Sequence, residues 1–154
     1  MNCEYAIDSV LYYLQNNLST MLTTIRQESS SSLISPNPES FDFGEKHPSA
    51  ISIFPAVMCK AVTTNSKDNQ YQHQERTANL ETIFWIVDVD ENELHRNVVR
   101  YGESITRILR NESNWKVNLY NPKVGVCQYS DTYEVNFGLA QGGAVRIDID
   151  YIIS

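Results

Sequence analysis

The chain has 154 residues, of which 42% are hydrophobic and 20% charged; this suits one folded domain, 1–154, burying roughly 70% of its unfolded surface. A formal net charge of −7 argues against a nucleic-acid reader, which needs clustered Lys and Arg, but allows a surface past which nucleic acid slides without sticking. Cys3, Cys59 and Cys127 lie far apart with no CxxC pair, so they read as reduced, buried thiols. No run reaches transmembrane length, and no basic segment leading into an apolar one opens the chain, so neither a membrane span nor a signal peptide is expected.

Residues 4–28 predict a long amphipathic helix. Ile7, Leu11, Leu14, Leu18, Met21 (or Leu22) and Ile25 form its apolar stripe, while Tyr12, Gln15, Asn16 and Ser19 turn away. Tyr5, Tyr12 and Tyr13 leave aromatic surface beyond that stripe. Residues 29–49 contain a run of four serines and Pro36, Pro38 and Pro48, a density of breakers that predicts a long loop without helix or strand. Phe41 and Phe43 are candidates to pin it locally. Residues 50–62 are extended and apolar, but Pro55 has no N–H for a ladder, so the strand starts after it or lies at an edge.

Residues 63–79 are almost wholly polar between two strands. They predict a hairpin arm standing off the body, with Lys67, Tyr71, His73 and Arg76 as candidate contacts to a subunit or partner. Residues 80–112 are the centre of the chain, a strand running into a helix. Ile83, Trp85, Val87 and Val89 share one strand face, with Phe84 and Ile86 on the other, so the strand should be central and covered twice. Asp90 then caps a helix whose stripe is Leu94, Val98, Tyr101, Ile105 and Ile108. A short strand over 115–120 should be broken by Asn121-Pro122, with exposed Trp115 suited to a protein interface. Gln141-Gly142-Gly143 reads as a tight turn. The last strand sends Val145, Ile147, Ile149 and Tyr151 to the core, and Arg146, Asp148 and Asp150 to water. The fold class is α+β: a mostly antiparallel or mixed sheet, backed by the N-terminal helix and a second helix after the central strand.

Reactive chemistry is sparse. Asp88/Asp90 and Asp148/Asp150 each put two carboxylates on one strand face, as a Mg²⁺ site or an acid–base pair would require. Solvated strand-end acids are the simpler account and the one expected, with Asp90 committed to its cap. His47, His73 and His95 are scattered, without metal-ligand spacing. Gly142-Gly143 precedes no helix that could receive phosphate. No catalytic residue, metal site or cofactor is expected.

The order of elements, with the stretches RTANLETIFWIVDVD, ENELHRNVVRYGESITRILR and YEVNFGLAQGGAVRIDIDYII, resembles the tail-terminator (tail-completion) proteins of long-tailed bacteriophages. The resemblance spans residues 5–152 and rests on the succession of elements, with the 29–49 segment as a departure. It implies a small non-enzymatic α/β virion protein forming a homohexameric ring at the head–tail neck, assembled in the host cytoplasm. Such a ring caps the tail tube, stops its growth and docks the head-closure or connector protein. DNA would pass its channel without specific binding, and Asp148 and Asp150 become candidate channel-lining acids. The alternatives are a head-closure or other neck or tube-end protein, or a small ligand-binding or enzymatic module with its site under the 29–49 loop.

Overall fold

The computed structural model describes residues 2–68, 74–111, 115, 118–136 and 138–153, with backbone only at 63–68, 74 and 153. Helix α1 (Cys3–Glu28) opens with Asn2, whose side chain accepts from the Tyr5 N–H at 3.0 Å and satisfies one orphan donor of the first turn. Its buried face holds Ile7, Val10, Leu14, Leu18, Leu22 and Ile25. Leu22, not Met21, completes the stripe. Tyr13, part of the unexplained aromatic surface, is buried and meets Trp115 edge-on at 5.1 Å. Trp115 also donates to the Leu109 carbonyl at 3.1 Å, so it is a half-buried packing residue and not the exposed interface group expected.

The segment after α1 is not the structureless loop expected. Its first part is tied to a second helix, α2 (Glu91–Arg110), which begins at Asp90, whose carboxylate accepts from the Glu93 N–H. From α2, Arg100 Nη1 donates to the Leu33 carbonyl at 2.6 Å, and the Tyr101 hydroxyl donates to the Pro36 carbonyl. The segment then forms strand β1 (Ser40–Phe43), which pairs in parallel with the start of β2 (Ala56–Asp68). Phe41 packs against the core, as its alternation suggested, whereas Phe43 stays exposed. β2 begins immediately after Pro55, as the missing N–H requires.

β3 (Gln74–Asp88) runs back antiparallel to β2, with Asp68 opposite Gln74. The remaining strands are β4 (Leu119–Val124), β5 (Gln128–Tyr129), β6 (Tyr133–Val135) and β7 (Gly138–Ile153). The sheet order is β1-β2-β3-β7-β4, with β5 and β6 also paired to β7. β3 is therefore central. β4, β5 and β6 succeed one another along β7 as one interrupted edge, and β1–β2 is the parallel pair in an otherwise antiparallel sheet. Asn121-Pro122 lies inside β4 at a register shift and does not end a strand; Asn121, at φ 53°, supplies the left-handed conformation that asparagine tolerates.

Both helices pack on one face of this mixed α+β sheet. The core between them joins Leu14 and Leu18 of α1, Val98, Tyr101 and Ile105 of α2, and Val57, Leu80, Phe84, Val145, Ile147 and Ile149 of the sheet. On β3 the helix-covered face is the Leu80, Phe84 and Ile86 set, and Ile83, Trp85 and Val87 face away. Val89 lies beyond the strand and is exposed. Among the described residues the second face is covered at one end. There Lys46 N–H donates to Met58 Sδ at 3.3 Å, and Tyr133 meets Trp85 edge-on at 5.8 Å. That patch is the second cover expected for the central strand.

Gly142 and Gly143 are not a turn. They pair with Trp85 and Phe84 in the middle of the β3–β7 ladder. A Cβ on Gly142 would stand 2.0 Å from the Phe84 carbonyl and 2.9 Å from the Trp85 ring; one on Gly143 would stand 2.8 Å from the Phe84 ring. Glycine is needed here for space, so that two aromatic neighbours can lie across the strand. Gly142→Ala should destabilise the protein by about 3 kcal/mol in urea unfolding, the upper range for overpacking a core. An unchanged midpoint would contradict this packing.

Candidate assembly surface

The β2 side of the sheet is the barer one, with Ala61 and Val62 exposed. β3 and β7 stay in register from Asp88↔Leu139 to Gln74↔Ile153, and β2 accompanies them to Asp68. β1 flanks β2 only over Ala56–Cys59, so among the described residues the outer edge of β2 from Lys60 onward has no neighbouring strand. The expected polar arm is thus a hairpin, but β7 joins it as a third strand and ties it to the body. An unpaired strand edge of this kind offers a row of backbone donors and acceptors.

Of the residues expected to make contacts, Lys67 stands in β2 opposite Glu75. Tyr71 and His73 lie outside the described residues. Arg76 lies in β3, near the start of the strand. It sits half-buried on the helix-side face opposite Tyr151, and a hydrogen bond and positive charge from Arg76 partly offset the rise that burial imposes on the Tyr151 hydroxyl pKa.

Asp148 and Asp150 lie on the face away from the helices, in the last third of β7. Asn79 Nδ2 donates to Asp148 at 2.6 Å, and the Thr77 hydroxyl donates to Asp150 at 2.6 Å. Each donor is the residue directly opposite in the ladder, so these are cross-strand pairs on one face. Asn121 adds a longer contact to Asp150 at 3.4 Å. Beside them runs a row of alternating charge: Glu45 and Lys60 are paired, Lys60 is 3.9 Å from Glu81, and Glu81 is 3.3 Å from Arg146. A shallow depression of about 570 Å³, bordered by Val62, Lys123 and Asp148, crosses the same half-face. This surface is polar, ordered by its own contacts and free of helix.

Thr77 and Asn79 go unnoticed when 63–79 is taken to lack periodicity, whereas Glu81 lies on the strand expected from Leu80. Ala78, Leu80 and Thr82 alternate with them, and that period of two was the available signal. The other acid pair is spent locally: the Asp88 carboxylate accepts from the Asp90 N–H, and Asp90 caps α2. Among the described residues no group of three or more His, Cys, Asp or Glu side chains could hold a metal ion. No helix among them is long and apolar enough to cross a membrane.

The cysteines are free, and only Cys59 is fully buried; Cys3 and Cys127 are half-buried, which corrects the expectation for those two. Burial pushes the Cys59 thiol up to about 12. The chain matches no protein-family model and is significantly similar to no curated protein.

A thiol whose pKa is higher folded than unfolded adds stability that is complete below the unfolded value of 9.0 and is lost as pH rises towards about 12. Iodoacetamide at pH 8, read by mass spectrometry, should therefore modify Cys59 only after unfolding. Labelling of Cys59 in the native state at the rate of Cys3 would contradict its burial.

Proposed function

We propose that this chain is a non-enzymatic structural subunit of a phage tail, forming a homohexameric ring that caps the tail tube, stops its growth and makes the joint to the head connector. The observation that carries the reading is the β2 edge, open from Lys60 onward, beside a helix-free polar sheet face. A ring needs one surface to meet a different surface on the next copy, repeated until the rotation closes. An open strand edge on one side and a helix-free polar sheet face on the other supply two such surfaces. The order of helix, strand, hairpin, central strand and second helix is the one the resemblance to tail terminators rests on.

In this reading Asp148 and Asp150 face the channel. Carboxylates fixed by Asn79 and Thr77 would repel phosphate without binding it, so DNA passes without arrest. Lys67, Tyr71 and His73 remain the proposed arm contacts. The site of the protein is then the mature neck of the virion.

Particles made without this chain should carry overlong or headless tails. Normal tails in its absence would refute the cap. Replacing Asp148 and Asp150 together by Asn keeps an acceptor for each neighbour and removes the charge. This variant should fold and assemble but slow DNA passage, measured as ejection rate, whereas an unchanged rate would remove these acids from the channel.

A further inference from the structure

The most unusual charge in the molecule lies away from this surface. Arg100 is only 6% exposed, and its hydrogen bonds go to neutral oxygens, the Leu33 carbonyl at 2.6 Å and the Ser35 hydroxyl at 3.2 Å. Among the described residues no carboxylate comes within 4.0 Å of it, nor of Arg96 one turn earlier on α2. Packing takes part of the guanidinium out of water without a partner charge to offset it, while none of its nitrogens is both fully buried and unpaired. The Arg100 pKa is accordingly lowered, first by burial and then by the charges of Arg96 and Arg26.

Arg100 lines a cavity of about 430 Å³ between the end of α1 and the middle of α2. Its two carboxylates are already engaged: Arg107 donates to Glu28 at 2.8 Å and to Glu103 at 3.0 Å. Three arginines and two glutamates in the wall leave one formal positive charge: Arg96 and Arg100 contribute two positive charges, and Arg107 with its two glutamates one negative. In the last turn of α1 the Ser29, Ser30 and Ser31 N–H groups take the carbonyls of Ile25, Gln27 and Arg26. Ile25 and Val99 give the cavity an apolar wall, and the Ser29 and Ser31 hydroxyls border it.

We propose that this cavity binds a singly charged carboxylate, with the guanidinium groups of Arg100 and Arg96 as its counter-charge and the Ile25–Val99 wall against its methylene groups. A guanidinium fork matches a carboxylate in shape. A phosphate dianion would overcharge the wall by one unit, so the monoanion fits better. The same chemistry reaches the cavity as a free short acid or as the acidic side chain of another protein.

The test uses the full chain at constant ionic strength, titrated in turn with sodium propionate, with N-acetyl-glutamic acid α-amide and with inorganic phosphate, followed by thermal shift and calorimetry. Propionate, the blocked glutamate or both should give a saturable rise in Tm that phosphate does not match; tighter binding of the blocked glutamate would identify a protein side chain as the source, and tighter binding of propionate a free acid. Arg96 is exposed, so Arg96→Ala should fold normally and weaken binding roughly tenfold, the loss expected for one hydrogen bond to a charged group. Arg100→Lys keeps the charge, loses the fork and should weaken it similarly. No saturable response to either carboxylate, stronger binding of phosphate, or affinity untouched by Arg96→Ala would each overturn the proposal.

Discussion

The fold depends on the antiparallel ladder between β3 and β7. Every other strand except β1 and β2 is attached to β7, and β2 is attached to β3. Fifteen consecutive register pairs hold the two strands together, from Gln74↔Ile153 to Asp88↔Leu139. A slip of one residue would send Leu80, Phe84, Val145 and Ile147 out of the core and Glu81, Arg146 and Asp148 into it. The register is therefore fixed by two independent demands. The helices need the apolar face, and Phe84 and Trp85 need the room that only Gly143 and Gly142 leave. Neither demand alone pins the strand as firmly.

That ladder also explains why the molecule is lopsided. α1 and α2 cover the helix-side face, while the second face is covered near Met58 and Trp85 and carries fixed polar pairs further along. Polar pairs across a sheet are well suited to a surface that must keep its shape while bare, because each side chain has its partner before anything docks. The buried arginine is the opposite case. Arg100 anchors the chain after α1 by its contacts to Leu33 and Ser35, yet its charge is left without an ion partner. The polar pairs of the sheet face are thus matched within the molecule, whereas among the described residues Arg100 has no carboxylate beside it.

Much of this was legible from pattern. The two helices, the cap at Asp90, the strand start after Pro55, the hairpin and the alternation of the last strand all follow from local chemistry repeated over many residues. What was not legible depended on partners distant in sequence. Gly142-Gly143 looks like a turn because glycine usually signals backbone freedom, whereas here it signals crowding by rings more than fifty positions earlier. Strand β1 was hidden among prolines and serines, with only Phe41 and Phe43 as a hint. Arg100 falls among buried helix positions, and no periodicity reveals that Leu33 and Ser35 will lie over it. For the assembly surface, the acids Asp148 and Asp150 were placed on the outward face correctly, but their partners Asn79 and Thr77 come from strand pairing.

The central claim is that the molecule acts through repetition about an axis, by the open β2 edge and the bare sheet face. Electron microscopy of the purified chain, alone and mixed with isolated tail tubes, tests it most directly. The account predicts closed six-fold rings, free or seated on tube ends. Single subunits in both preparations, with tube ends left bare, would contradict it.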